Sequence, residues 1–73
     1  MRVKHVNRLL HEGGELVEIQ LVNSAGMILE SIQLGVRDGK VILPRGYSPT
    51  VQGALDYGRA IWARWLPPEE RPF

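Results

Sequence analysis

Cysteine is absent from the 73-residue chain, which excludes disulfides and thiolate metal ligands as supplements to a small hydrophobic core. No apolar run approaches the roughly 20 residues of a membrane-spanning helix, and the N-terminus lacks the apolar region of a signal peptide. A net charge of +1 is too small to predict a strong nucleic-acid binder. These absences predict one small cytoplasmic domain that does not enter a membrane.

Groupings typical of catalysis or metal binding are also absent. His5 and His11 are six positions apart, a spacing that neither a helix nor a strand converts into a metal-binding pair, and no carboxylate cluster lies near them. The serines fit a turn, a strand and a helix cap, and no glycine-rich phosphate loop occurs. We therefore predict no catalytic residues, no metal ligands and no cofactor, and we expect that the protein is not an enzyme.

The clearest positive signal is a β-hairpin over residues 15–34. In "ELVEIQLV" the apolar residues alternate with Glu18 and Gln20, which is the period of a half-buried strand. "NSAG" has turn composition, and "MILESIQL" alternates again. The pattern places Val17, Ile19 and Leu21 on one face of the first strand, and Ile28, Ile32 and Leu34 on one side of the second.

A third strand and a C-terminal helix follow. "RDG" predicts a turn, "KVIL" predicts a strand at residues 40–43, and a stripe of apolar residues at helical spacing predicts a helix over 49–66. Ser48 is the predicted cap, with Pro49 as the first helical residue. Gly53 and Gly58 each weaken a helix by about 1 kcal/mol relative to alanine. Gly58 lies on the apolar stripe, where it would allow close approach to the sheet.

The predicted fold is therefore α+β: a small three-stranded antiparallel sheet packed by a C-terminal helix, with a short N-terminal helix or arm. The domain covers residues 1–66, and the proline-rich residues 67–73 form a flexible tail. The N-terminal stretch is ambiguous. Gly13 and Gly14 would end a helix there, whereas a strand would place Lys4, Val6, Arg8 and Leu10 on one side.

The same N-terminal stretch is the main candidate for binding a partner. Three cations and several aliphatic residues occur before the first acid, Glu12, a composition suited to an acidic and partly apolar protein surface. The alternative is that this stretch only completes the core. The candidate partner-binding residues are Arg2, Val3, Lys4, Val6 and Arg8.

A secondary candidate pair is Arg64 and Trp65, because arginine and tryptophan are common in interface hot spots. Trp62 lies nearer the centre of the apolar stripe and is predicted to be in the core, with Trp65 partly exposed. Glutamates on the predicted sheet repel phosphate, which leaves contact with nucleic acid a secondary role. We expect a monomer.

The stretches "MRVKHVNRLL" and "VEIQLVNSAGMILESIQL", with the overall length and layout, resemble the small host RNA polymerase-binding regulator of a Xanthomonas phage. This resemblance implies a bacteriophage protein made during host takeover and located in the host bacterial cytoplasm. It implies binding to the N-terminal region of the RNA polymerase β′ subunit, inhibition of transcription initiation, and antitermination. The matching binding region would be the N-terminal stretch.

A second, local resemblance concerns "DGKVILP" and "HEGGELVEIQLV". These segments are similar to strands of the swapped-hairpin DNA-binding family that includes antitoxins and transition-state regulators, although their order here is reversed. The alternative function implied is a dimeric DNA-binding regulator or antitoxin. Its DNA-contacting cations would be Arg37, Lys40 and Arg45.

Overall fold

The structure is a computed structural model that describes residues 1–10 and 12–71. A four-stranded antiparallel sheet with the order β1-β2-β3-β4 carries one α-helix on one face. The strands are β1 (Arg2–Leu9), β2 (Glu15–Val22), β3 (Ile28–Arg37) and β4 (Lys40–Val41), and the helix is α1 (Val51–Ile61). Two short 3₁₀ turns follow, at Ala63–Trp65 and Pro68–Glu70. The α+β class is confirmed.

The N-terminal stretch is a strand, so the predicted short helix or arm and the count of three strands are wrong. β1 pairs with β2 along its full length, from Arg2 opposite Val22 to Leu9 opposite Glu15. Ladder hydrogen bonds and the burial of Val3 outweigh the local preference for helix. Beyond the strand, the Leu10 amide donates to the Gly14 carbonyl at 2.8 Å and continues the same pairing.

The predicted hairpin is formed by β2 and β3, with one difference in side-chain orientation. Its turn is closed by the Asn23 side-chain oxygen, which accepts from the amides of Ala25 and Met27, each at 2.9 Å. The pairing shifts by one residue near Leu21, where Val22 faces Ile28 across a bulge. The bulge takes Ile28 off the side shared by Ile32 and Leu34, so its predicted placement with them is wrong.

β3 and β4 join through a two-residue turn at Asp38 and Gly39. Both residues have positive φ, 52° and 75°, as a tight hairpin turn of this type requires. The turn is therefore where "RDG" predicted it. The ladder is shorter than the predicted 40–43, because β4 ends at Val41 and only the Ile42 amide continues it, donating to the Gly35 carbonyl at 2.9 Å.

α1 begins later and ends earlier than the predicted 49–66. Thr50, not Ser48, is the cap, since its side chain accepts from the Gly53 amide at 3.1 Å. Ser48 supports that cap through a 2.9 Å hydrogen bond between the two hydroxyls. The α-helix ends at Ile61, and the chain tightens into the 3₁₀ turn that contains Arg64 and Trp65.

The core lies between α1 and one face of the sheet. Ile19 and Ala54 are fully buried, and Trp62 and Leu66 are 1% exposed. α1 contacts mainly β1 and β2. A Cβ added at Gly58 would lie 2.7 Å from the Cγ2 atom of Ile19, so the absence of a side chain there sets the distance between helix and sheet, as predicted.

The segment predicted as a flexible tail is described as far as Arg71. Pro68–Glu70 forms a 3₁₀ turn, and Glu70 accepts from the Arg59 guanidinium at 3.5 Å. The Arg71 guanidinium donates to the Leu66 carbonyl at 2.8 Å. These contacts join the turn to α1 and to the core residue Leu66. The predicted flexibility stays a prediction, and residues 72–73 lie outside the described residues.

Candidate interaction surface

β1 divides the N-terminal residues between the two faces of the sheet. The side chain of Val3 faces Leu21 in the core, and the residue is 7% exposed, so this side chain packs inside the protein and is not available to a partner. Arg2 and Lys4 lie on the opposite face, which we call the open face because α1 packs on the other one. Both are exposed, and neither has an ion-pair partner among residues 1–10 and 12–71.

Arg8 lies on the open face too, but its guanidinium is partly used inside the protein. Its Nε and Nη2 atoms donate to the two carboxylate oxygens of Glu18 at 3.0 and 3.3 Å. The side-chain amides of Gln20 and Gln33 donate to the same carboxylate. Glu18 and Gln20 are 5% and 4% exposed, so this network satisfies polar groups that are almost fully buried. Arg8 is half-exposed and holds Glu18 in place.

The pKa of Glu18 is lowered by the hydrogen bonds that Gln20 and Arg8 donate to its carboxylate, which outweigh the opposing effect of burial. A carboxyl whose folded pKa lies below its unfolded value stabilises the fold above the unfolded pKa. That contribution is lost as the pH falls through the folded pKa.

We expect Glu18→Gln to flatten the loss of thermal stability between about pH 5 and pH 3. Melting curves across that range check it, with Glu15→Gln, an exposed glutamate of the same strand, as the control. Equal acid sensitivity of Glu18→Gln and wild type would contradict the assignment.

A shallow apolar groove lies at the end of the sheet near the β2–β3 turn. Met1, Leu21, Leu29, Glu30 and Trp65 line it, and we call it the turn-end groove. Met1, Leu29 and Trp65 are each between 43% and 48% exposed, so the groove presents apolar surface to solvent.

The turn-end groove lies between one residue of each predicted interaction set, Arg2 and Trp65, whereas Lys4, Val6 and Arg8 do not line it. Arg2 follows Met1 and lines the adjacent depression formed with the β2–β3 turn. The Arg64 guanidinium lies over the Trp65 ring, 5.2 Å from its centroid, and holds the indole by a cation–π contact. The groove can accept an apolar side chain, with Arg2 beside it and Arg64 against its Trp65 wall.

Sequence reasoning found part of this surface. Arg2, Lys4, Arg64 and Trp65 were identifiable from residue type. Met1 and Leu29 were not, because only the pairing of β1 with β2 and the bulge in β3 bring them beside Trp65. The position of Met1 could have been inferred had the N-terminal stretch been assigned as a strand.

Within the described ranges 1–10 and 12–71, no group of three His, Cys, Asp or Glu residues could hold a metal ion. Of the two histidines considered above, His5 is exposed on β1, and His11 lies outside the described residues. Over those same ranges no helix has the length and apolar character needed to cross a membrane.

The chain was also compared with known proteins. It matches no protein-family model, no curated protein and no solved structure.

Proposed function

We propose that this protein is a phage regulator that binds bacterial host RNA polymerase at the N-terminal region of the β′ subunit. There it would inhibit transcription initiation and promote antitermination, in the host cytoplasm. The resemblance of "MRVKHVNRLL" and "VEIQLVNSAGMILESIQL" supplies the partner. The observation that carries the proposal is that exposed Arg2 and Lys4 share the open face of an edge strand with no acidic partner in the described chain.

The arrangement suits a protein surface better than a nucleic acid. An apolar groove lies beside Arg2 at this end of the sheet, and a phosphate backbone has no apolar side chain to fill it. An acidic, partly apolar protein surface fits better. The cations would attract and orient it, and the groove would bury its apolar side chains.

The test is capture of purified β′ N-terminal fragment and of whole RNA polymerase by the tagged protein. Arg2→Glu with Lys4→Glu should weaken binding about 100-fold, since each reversal replaces an attraction by a repulsion. Arg37→Glu with Lys40→Glu makes the same charge change at the β3–β4 turn and should leave binding unchanged. Promoter-dependent transcription and terminator read-through on purified templates should follow the binding results.

Arg8 is left out of the charge-reversal variant because Arg8→Glu would place a second carboxylate against Glu18. Failure of wild type to bind polymerase, or equal loss of binding in both double variants, would contradict the proposal. Capture of duplex DNA instead, with steep salt dependence, a dimer in sedimentation and loss of binding in Arg37→Glu with Lys40→Glu, would favour the swapped-hairpin DNA-binding alternative.

A further inference from the structure

The outer edge of β1 is free. β1 is first in the strand order, so it pairs on one side only. Residues 2–9 make no backbone hydrogen bond outside the β1–β2 ladder within the described chain. The edge is eight residues long and contains neither proline nor glycine. Such an edge can pair with another extended chain.

The ladder determines which backbone groups point outward. Hydrogen-bonded and non-hydrogen-bonded pairs alternate along antiparallel strands. The Leu10–Gly14 bond places the even-numbered residues of β1 in the bonded pairs, and the Ile42–Gly35 bond on the far side of β3 agrees with the same alternation. The N–H and C=O groups that point to the free edge belong to Val3, His5, Asn7 and Leu9.

We infer that the free edge of β1 binds an extended acidic segment of the partner protein by strand addition. The inference rests on the proposed function and specifies how the same surface holds its partner. Residues directly opposite one another in an added strand have Cβ atoms about 4.5–5.5 Å apart. Glutamates or aspartates at every second position would lie against Arg2, Lys4 and the half-exposed Arg8 on the open face. Exposed Leu9, on the other face, would meet an apolar side chain.

A second copy of this chain fits the edge poorly. In a symmetric antiparallel pair of two copies, the odd-numbered residues, whose backbone groups point outward, must lie opposite odd-numbered residues. The two-fold axis therefore passes through a residue and not between two residues. With the axis at Val3, Lys4, His5 or Val6, a cation of one copy lies directly opposite a cation of the other: Arg2 with Lys4, Lys4 with Lys4, Arg2 with Arg8, and Lys4 with Arg8, respectively. Like charges directly opposite destabilise strand pairing.

The first experiment uses isotope-labelled wild-type protein and a synthetic peptide of about ten residues in which glutamate alternates with valine. Amide hydrogen exchange at Val3, His5 and Asn7 should slow at least about tenfold on saturation, because these amides gain bonds to the peptide. The amides of Lys4 and Val6, already bonded to β2, should change little. A peptide with glutamine in place of glutamate should bind about tenfold more weakly. Binding of the acidic peptide without protection of the three outward amides would overturn the inference.

The second experiment compares His5→Pro with His5→Ala. Both remove the imidazole, but only proline removes an outward N–H, and proline is tolerated at the free edge of an edge strand. His5→Pro should bind the acidic peptide and the β′ fragment at least about tenfold more weakly than His5→Ala, with the fold of each checked by circular dichroism. If His5→Pro does not fold, the exchange measurement on wild type still decides.

The results separate this inference from the proposed function. Full polymerase binding by folded His5→Pro, with loss in Arg2→Glu plus Lys4→Glu, would keep the proposed function and overturn strand addition. Protection of the edge amides by the peptide, without any binding to polymerase, would keep strand addition and overturn the proposed function. Sedimentation of wild type as a dimer that His5→Pro dissociates would identify the occupant as a second copy and overturn the acidic-partner assignment.

Discussion

Gly53→Ala is expected to destabilise the protein by about 3 kcal/mol, a large part of the roughly 5 kcal/mol available to a domain of this size. A Cβ at Gly53 would lie 1.8 Å from the Ser48 carbonyl oxygen and 2.8 Å from its carbon. These are backbone atoms, so no side-chain rotation relieves the clash. Helix propensity alone predicts the opposite sign, a gain of about 1 kcal/mol, and the steric term is the larger one.

The chain entering α1 has little freedom to move aside. The Thr50 amide donates to the Ser48 carbonyl at 2.8 Å, and the Val41 amide donates to the Pro49 carbonyl at 3.1 Å. Displacing Ser48 would break the first of these bonds and disturb the cap that Thr50 makes with Gly53. Relieving the clash therefore removes the stability that the Thr50 cap contributes, about 1 kcal/mol, in addition to the steric strain.

Urea denaturation measures the effect, and Gly14→Ala is the matched control. At Gly14 an added Cβ would meet only a Leu10 methyl at 3.5 Å, an ordinary contact, and the residue lies outside the left-handed region. Gly14→Ala should shift the urea midpoint by less than about a fifth as much as Gly53→Ala. A Gly53→Ala variant as stable as wild type would show that the segment before α1 relaxes freely.

The two helix glycines illustrate how far the sequence predicts this fold. Gly58 lies on the apolar stripe, so its role at the helix–sheet contact follows from helical period. Gly53 is constrained by contact with the loop that precedes the helix, and sequence periodicity does not predict the conformation of a loop. From sequence both positions carry the same cost in helix propensity, and only the structure shows that an alanine at Gly53 would be worse.

β1 was difficult to recognise because its alternation is chemically mixed. On the core side, buried Val3 is followed by exposed His5 and Asn7, where α1 leaves the strand uncovered. On the open side, Val6 lies among cations and faces Glu18. Polar and apolar residues thus occur on both faces, and the two-residue period is lost. β2 pairs with a strand on each side and is buried from Val17 to Val22, and its sequence shows that period clearly.

For the candidate interaction surface, the sequence predicts some of the residues but not their arrangement. Cations and an aromatic residue beside an arginine are visible as residue types, but which cations lack an ion-pair partner is not, as Arg8 shows. Their convergence depends on strand pairing and on a bulge whose position no local residue marks. The polar network around Glu18 is likewise a tertiary feature, since Arg8 and Gln33 come from the two strands that flank β2.

Trp62→Ala is expected to remove about 3–5 kcal/mol of stability and to leave most molecules unfolded near room temperature. Trp62 is 1% exposed, and its Nε1 donates to the Glu30 carboxylate at 2.7 Å. Trp62→Phe separates these contributions. It keeps most of the apolar contact and loses the hydrogen bond, so it should cost about 1–2 kcal/mol.

Trp65→Ala is the control, because Trp65 is 48% exposed and lines the turn-end groove. It should reduce stability by less than about 1 kcal/mol while weakening partner binding. Trp62→Ala should lose stability first and binding only as a consequence. Chemical denaturation with fluorescence of the remaining tryptophan distinguishes them, since Trp62 in Trp65→Ala should emit at a shorter wavelength and resist quenching by iodide. Equal destabilisation by Trp62→Ala and Trp65→Ala would contradict the assignment of one indole to the core and the other to the surface.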